Sequence, residues 1–438
     1  MANPSKARRH IVVIGGGFGG LATVQALRKE AVDITLIDRR NHHLFQPLLY
    51  QVATAALAPS DIAEPIRAIV ARQDNVTVRL AEAQRVDTAT RTVHLADGHD
   101  VAYDALIVAA GVGSSYFGHP EWEAHAPSLK TIGDALDIRR RVLGAFEEAE
   151  WCTDPDERRA LMTFVVVGAG PTGVELAGAL AEIAFRTLRR DFRRIDPTEA
   201  RVVLLEGGPA VLPPYPPALQ AKALDQLVSL GVEVRLDTRV TDVDATGVVT
   251  GEERLDARTV LWAAGVQGAR IGSTLEAPTT RTGQVQVQPD LSLPGHPEVF
   301  VIGDLARVQT DDGRPVPSVA PAALQMGRHT ARNLVADRAG RPRTAFRYVD
   351  KGSMATIGRS RAVMHALGLQ LGGLPAWLAW VFVHLLFLVT YRNRLLVFTK
   401  WAWAWVTFER ASRLIWQGET DGSNTRADGT DQVSGHAA

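Results

Sequence analysis

HIVVIGGGFGGLATVQAL, His10 to Leu27, decides the fold of this chain. Ile11 to Ile14 make an apolar run of the length of a buried parallel strand. A tight glycine turn follows, and the apolar residues after it recur at helical spacing. Gly15, Gly17 and Gly20 stand at the G-x-G-x-x-G positions. The first glycine permits the sharp turn, the second lets backbone approach a pyrophosphate, and the third lets the helix pack on the strand. The helix N-terminus then aims its free N–H groups at the phosphates. A second strand, Ile34 to Ile37, ends at Asp38, at the distance where a carboxylate binds ribose hydroxyls. These features predict a dinucleotide-binding unit lined by Gly15, Gly17, Phe18, Gly19, Gly20 and Asp38.

The plan recurs. FVVVGAGPTGVELAGALAEI, Phe164 to Ile183, sets Gly168, Gly170 and Gly173 after an apolar strand, and the next strand ends at Glu206. A carboxylate there binds the adenosine ribose and repels a 2′-phosphate, which predicts NADH over NADPH. Each fingerprint is followed by short alternating segments and an apolar strand ending in Ala-Ala-Gly: Ala110–Gly111 in the first copy, Ala264–Gly265 in the second. A repeat of this length implies two related α/β domains. The N-terminal site is expected to hold FAD, with NADH on the second domain. Lys130 to Glu150 reads as a connecting helix with its charges on one face, and Arg186 to Arg194 as a basic extension of the second fingerprint helix. Val299 to Val308 reads as a strand running into Gly303–Asp304 and a helix, with Asp304 placed to bind a ribityl hydroxyl. The long segment Asp38 to Arg67 is expected to wall a flat apolar ring through Pro47, and Arg39 is a candidate for the cofactor phosphates.

Composition narrows the chemistry. Formal net charge is zero, so nothing global points to nucleic acid. The single cysteine, Cys152, excludes an internal disulfide, a redox cysteine pair and a thiolate metal site. His42 and His43 have no further ligands at metal spacing. Glu175, just past the second glycine turn, is a candidate to reach the nicotinamide or flavin region.

With GGGFGG, VAAGVG, GAGPTGVE and IGD in place, the chain resembles the two-dinucleotide-binding-domain flavoproteins of the glutathione reductase type. Within them, VAPAALQMGRHTARN (Val319 to Asn333), YVDKGSMATIGR (Tyr348 to Arg359) and the hydrophobic C-terminus resemble type II NADH dehydrogenase. The fold class implied is α/β: two Rossmann-like domains plus a C-terminal helical membrane-anchoring segment. The activity implied is hydride transfer from NADH to FAD, then two electrons to a membrane quinone, without proton pumping. Ala320, Ala323 and Gln325 match the family's AQxAxQ quinone motif, with Pro321 in place of the first glutamine. The resemblance sets Ala320, Pro321 and Ala322 at the flavin, Gln325 near flavin and quinone, and Lys351 against the ring. The domains expected are an FAD-binding domain in two parts (1–118 and 281–345), a connecting helix (119–160), an NADH-binding domain (161–280), a quinone-site and membrane-anchoring region (346–418) and a disordered tail (419–438). Alternatives are a reductase of a ferredoxin- or rubredoxin-type protein acceptor and a non-catalytic NADH sensor.

From Ala362 to Tyr391 no Asp, Glu, Lys or Arg occurs. The seventeen residues from Pro375 to Tyr391 are marginal for a span, since the hydrocarbon core is about 30 Å thick. Trp401, Trp403 and Trp405 lie near Lys400, Arg410 and Arg413, which suits an interfacial segment whose cations face anionic headgroups. Three readings follow: two monotopic helices in one leaflet, which is favoured, a spanning helix, or a buried homodimer core. The N-terminus carries no signal peptide, so the expected location is the cytoplasmic face of the bacterial inner membrane.

Overall fold

The computed structural model describes residues 8–310, 313–388, 391–407, 410 and 412–415; the tail expected to be disordered lies outside them. β1 (Arg9–Ile14) leads through the glycine turn into α1 (Phe18–Ala26), and β2 (Val32–Asp38) returns parallel to β1 with Ile11 opposite Ile34. The segment to Arg67 is not one open loop. It carries short elements, among them α2 (Leu49–Ala53) and the four-residue helix Pro59–Ile62. β3 (Val76–Leu80) extends the sheet beyond β2, a three-stranded antiparallel sheet follows, and β4 (Ala105–Val108) lies on the other side of β1.

α3 (Ile132–Trp151) opens with a capping box, Thr131 Oγ1 accepting from the Asp134 N–H and Asp134 accepting from the Thr131 N–H. The second domain repeats the first: β5 (Thr163–Val167), α4 (Pro171–Glu182), β6 (Arg201–Leu205), β7 (Val232–Arg235), a small antiparallel sheet, and β8 (Thr259–Trp262). Its parallel sheet has the order β7-β6-β5-β8. All residues of β5 and β8 are buried, as strands covered on both faces require. β9 (His296–Val301) then joins the first sheet beside β4, giving β9-β4-β1-β2-β3 in parallel with Ser292–Leu293 antiparallel at the edge. The stretches after the two Ala-Ala-Gly turns pair with each other, Val112 opposite Gly268 and Ser114 opposite Val266.

α5 (Ala320–Arg338) packs on α1, and a meander of β10 (Ser353–Gly358), β11 (Arg361–Ala366) and β12 (Leu369–Gly372) packs on α4. The chain closes with α6 (Leu374–Phe387) and α7 (Tyr391–Thr407).

Four expectations need correction. The charges of α3 do not share a solvent face. Arg139 is 6% exposed and donates to the carbonyls of Val52 and Leu57, both at 2.8 Å, holding the end of α2 and the turn beyond it. Only Arg186 and Thr187 of the basic segment continue α4, in a π-turn over Ile183–Thr187; beyond it the chain bends, with Leu188 buried and the Phe192 ring tilted against Phe146. Gly303–Asp304 open a single 3-10 turn, Gly303–Leu305, and the long helix starts only at Ala320. The apolar run from Pro375 ends as helix at Phe387, with Leu388 extended (ψ 136°) and its carbonyl accepting from Arg394 Nε at 2.9 Å. Fourteen residues rise only about 21 Å, and no helix among the described residues is long and apolar enough to cross a membrane.

Arg139→Met removes the guanidinium donated to Val52 and Leu57 while keeping side-chain length. It is expected to lower unfolding free energy by about 2–4 kcal/mol in denaturant titration, because two buried carbonyls lose a charged donor.

Candidate functional site

The two glycine turns are built alike. Gly15 has φ +103°, and a Cβ on it would lie 2.4 Å from the Ala109 carbonyl oxygen. A Cβ on Gly20 would lie 1.9 Å from the Gly15 oxygen, whereas one on Gly17 meets nothing within 4 Å. In the second copy Gly168 (φ +99°) abuts Ala264 at 2.9 Å, and a Cβ on Gly173 would lie 1.8 Å from the Gly168 oxygen. Gly170 is again open. The outer glycines of each motif answer to the fold, and the middle one faces the space a pyrophosphate needs. Each acid braces its own turn. Asp38 accepts from the N–H groups of Gly16 (2.6 Å) and Arg40 (2.8 Å), and Glu206 from those of Ala169 (2.7 Å) and Gly208 (2.8 Å). Their remaining lone pairs suit ribose hydroxyls. Arg39 is turned away, 3.8 Å from the Glu82 carboxylate at the surface.

The C-terminal ends of β1, β4 and β9 converge, bringing the first glycine turn, Ala110–Gly111 and Gly303–Asp304 to one sheet edge. Gly111 has φ +68° with open space at its Cβ position. Burial pushes the Asp304 carboxyl up, and Lys130 facing it works against that shift; the Lys130 ammonium is pushed down by the same burial. Ala320 and Pro321 start α5, and Ala322 is buried behind them. α5 approaches α1 so closely that a Cβ on Gly327 would lie 2.3 Å from the Gly19 oxygen. Gly265 (φ +71°) is exposed at the second domain's edge, against the Phe117 ring.

Pro47 lies in the 3-10 turn Gln46–Leu48, just after Phe45. From here ring contacts run continuously towards the C-terminal helices. Phe18 meets Phe45 at 5.9 Å, Phe45 meets His384 at 6.2 Å, His384 stacks on Trp380 at 4.3 Å, and Trp380 meets Trp401 at 5.1 Å. Burial pushes the His384 imidazole down to about 4, so it is neutral at physiological pH.

Beside these rings lies a cavity open to solvent. The segment after Pro47 contributes Tyr50 and Gln51. α4 contributes Glu175, Ala179 and Glu182 from one face. The meander contributes Thr356 to Arg359, and the terminal helices contribute Trp377, Trp380, Trp401 and Trp405, with Arg410 beyond them. Glu175 lines this cavity; burial pushes its carboxyl well above its ordinary value, and a hydrogen bond from the Thr356 backbone works against that shift. The Gln325 amide is engaged with backbone, donating to the Val349 carbonyl and accepting from its N–H, both at 3.0 Å. Lys351 is exposed two residues on, in a turn closed by the Gly352 N–H on Asp350.

The three cations expected to face headgroups are each paired with an acid of the protein, Arg410 buried, Lys400 half-buried and Arg413 at the surface. Lys400 pairs with Asp61 at 2.6 Å, Arg410 with Glu182 at 3.0 Å, and Arg413 with Asp191. Their partners were not readable as such, since they lie 222 to 339 residues away. A signal existed for one of them: Glu182 is the single charge in the apolar run Leu176 to Phe185. Lys130, Tyr50, Gln51 and His384 also escaped the sequence reading, because only the fold brings them to the site.

Two glycine-turn domains, the second inserted between strands of the first sheet, define a pyridine nucleotide oxidoreductase. The model of the pyridine nucleotide-disulphide oxidoreductase family matches residues 9–327. The chain belongs, more narrowly, to the type II NADH:quinone oxidoreductases. The NDH2 C-terminal domain model matches residues 351–408. The Mycobacterium tuberculosis type II NADH:quinone oxidoreductase Ndh is 44% identical over 93% of this chain and 90% of its own length. NdhA of the same organism is 47% identical over 90% and 86%. The fold is shared with NDH2 from Plasmodium falciparum in complex with NADH (TM-score 0.86, 19% identity, 94% of this chain and 100% of that one). It is shared less closely with the sulfide:quinone oxidoreductase of Aquifex aeolicus (TM-score 0.72, 20% identity, 88% and 92%).

Gly170→Val adds bulk only where the protein is open. It is expected to leave the melting temperature near wild type while weakening NADH binding at least about tenfold. Gly173→Val, with no room for a Cβ, is expected to abolish soluble expression or the cooperative melt; parallel melting and NADH titration check the contrast.

Proposed function

We propose that the chain oxidises NADH and reduces a membrane quinone as a type II NADH:quinone oxidoreductase. We propose that 1–118 and 281–345 hold FAD, that 161–280 holds NADH, and that 346–418 forms the quinone site and anchor. The observation that carries this reading is the single cavity to which the first domain's wall, the second domain's α4 and the terminal helices all contribute. The residues present suit FAD: an open middle glycine, a braced Asp38, a buried Asp304 and an open Gly111 on one sheet edge. When bound there, FAD supplies the two-electron exchange that nicotinamide and quinone cannot make directly across separate sites.

The protein's own groups then have distinct tasks. Glu206 selects NADH, its carboxylate repelling a 2′-phosphate. Glu175, whose carboxyl burial pushes up, offers a proton to the oxygen a quinone develops on reduction. Gln325 fixes the irregular segment leading to Lys351, whose ammonium supplies positive charge at that edge. α6 turns Leu374, Leu378, Phe382 and Leu386, 46% to 64% exposed, to one side at four-residue spacing. α7 exposes Leu395, Phe398, Trp403 and Val406. Contiguous apolar surface of this kind suits insertion into one leaflet, where a quinone dissolves beside its own cavity. The cytoplasmic leaflet of a bacterial plasma membrane is the proposed site.

Stopped-flow absorbance tests the activity. Flavin bleaching by NADH and recolouring by a short-chain quinone are expected, with NADPH much slower; bleaching without recolouring points to a protein acceptor or a sensor. In vesicles, NADH oxidation is expected without lumen acidification. Quinone-dependent turnover is expected to fall as pH rises through the elevated Glu175 titration, since the protonated form is the donor. Glu175→Gln is expected to lower kcat by about 10²-fold and to remove that alkaline limb.

A further inference from the structure

Tyr50 lines the cavity, is 6% exposed, and sits beside Gln51 in α2. Their polar atoms are ordered by a partner on the terminal helices. Trp401 Nε1, which can only donate, gives its proton to Gln51 Oε1 at 2.7 Å. That contact fixes which end of the Gln51 amide is oxygen. The other end, Nε2, therefore donates, and it does so to the Tyr50 hydroxyl oxygen at 2.9 Å. The Tyr50 oxygen is thereby an acceptor within the protein, and its hydroxyl donates no hydrogen bond among the described residues. A phenolic O–H oriented by a two-step relay and left undonated beside an apolar cavity is a site for an acceptor oxygen.

Resting on the quinone-reductase reading above, we propose that the Tyr50 hydroxyl is the hydrogen-bond donor that holds a quinone carbonyl oxygen in this cavity, with Gln51 and Trp401 as the positioning residues. The ligand class is a benzoquinone or naphthoquinone ring, flat enough to lie along the tryptophans and carrying one acceptor oxygen for Tyr50. The role is distinct from that of Glu175. Burial keeps the Tyr50 phenol neutral throughout the physiological range, so its contribution does not vary with pH. It binds and orients without giving up its proton. The relay also ties quinone affinity to the seating of α7, because Trp401 belongs to that helix and Gln51 to the first domain.

The test compares wild type with Tyr50→Phe and Trp401→Phe, all as FAD-loaded full chains. Stopped-flow rates of flavin reoxidation by a short-chain quinone are taken relative to flavin reduction by NADH in the same sample, from pH 6 to 9. Tyr50→Phe is expected to lower kcat/KM for quinone about tenfold, mainly through KM, without altering the shape of the pH profile. Trp401→Phe keeps the ring contact with Trp380 but releases the Gln51 amide to flip, and is expected to show a smaller loss of the same kind. Unchanged quinone kcat/KM in Tyr50→Phe, with wild type active, overturns the assignment and leaves the quinone-reductase reading standing. A parallel fall in both half-reactions marks Tyr50 as structural and also overturns it. A wild-type flavin that quinone does not reoxidise overturns the underlying reading itself.

Discussion

The site depends on one close approach. A Cβ on Gly178 would lie 1.7 Å from the Ile357 carbonyl oxygen, so backbone of β10 rests directly on backbone of α4. Glycine at that point lets the meander lie flush on the helix that follows the second glycine turn. On the same helical face Glu175 stands three residues before Gly178 and Glu182 four residues after it. Flush contact brings Thr356 to the Glu175 carboxyl and the Arg359 N–H to Glu182. The cavity wall is thus a helix face of the second domain sealed by the backbone of β10.

The same region shows how polar groups steer an apolar anchor. Two helices with exposed hydrophobic faces have little to fix their rotation, since one apolar contact resembles another. Asp61–Lys400, Glu182–Arg410 and Gln51–Trp401 supply directional contacts. Burying charge is costly, and such pairs add less stability than orientation. Their acids lie on the helix Pro59–Ile62 and on α4, so they set the terminal helices against both domains at once. Lys400 and Arg410 thereby hold acids of the protein itself.

Much of the fold was legible because its signals are local. The Gly15 and Gly168 turns, Asp38, Glu206 and the paired Ala-Ala-Gly strands each follow from a few adjacent residues, and the internal repeat doubled the evidence. The limits were equally physical. Arg139 looked like one more surface charge on α3 because the carbonyls it holds are 82 to 87 residues away. The run after Glu182 is rich in good helix-forming residues, yet it bends beyond Thr187, with Leu188 buried and the Phe192 ring against Phe146. Hydropathy overran the end of α6, since Leu388 is as apolar in extended backbone as in a helix. Tyr50 lies within the wall segment Asp38 to Arg67, but its undonated proton emerges only once Trp401 has fixed the Gln51 amide.

The central claim is that this cavity, between the first domain's wall and α4, is where quinone meets the enzyme. The most direct measurement is a structure of the FAD-loaded protein in a lipid nanodisc with a short-chain quinone. The account predicts the quinone ring in this cavity, with one carbonyl oxygen within hydrogen-bond distance of Tyr50 and the Glu175 carboxyl facing the ring. A quinone bound outside the cavity, with Tyr50 and Glu175 away from it, would contradict the account.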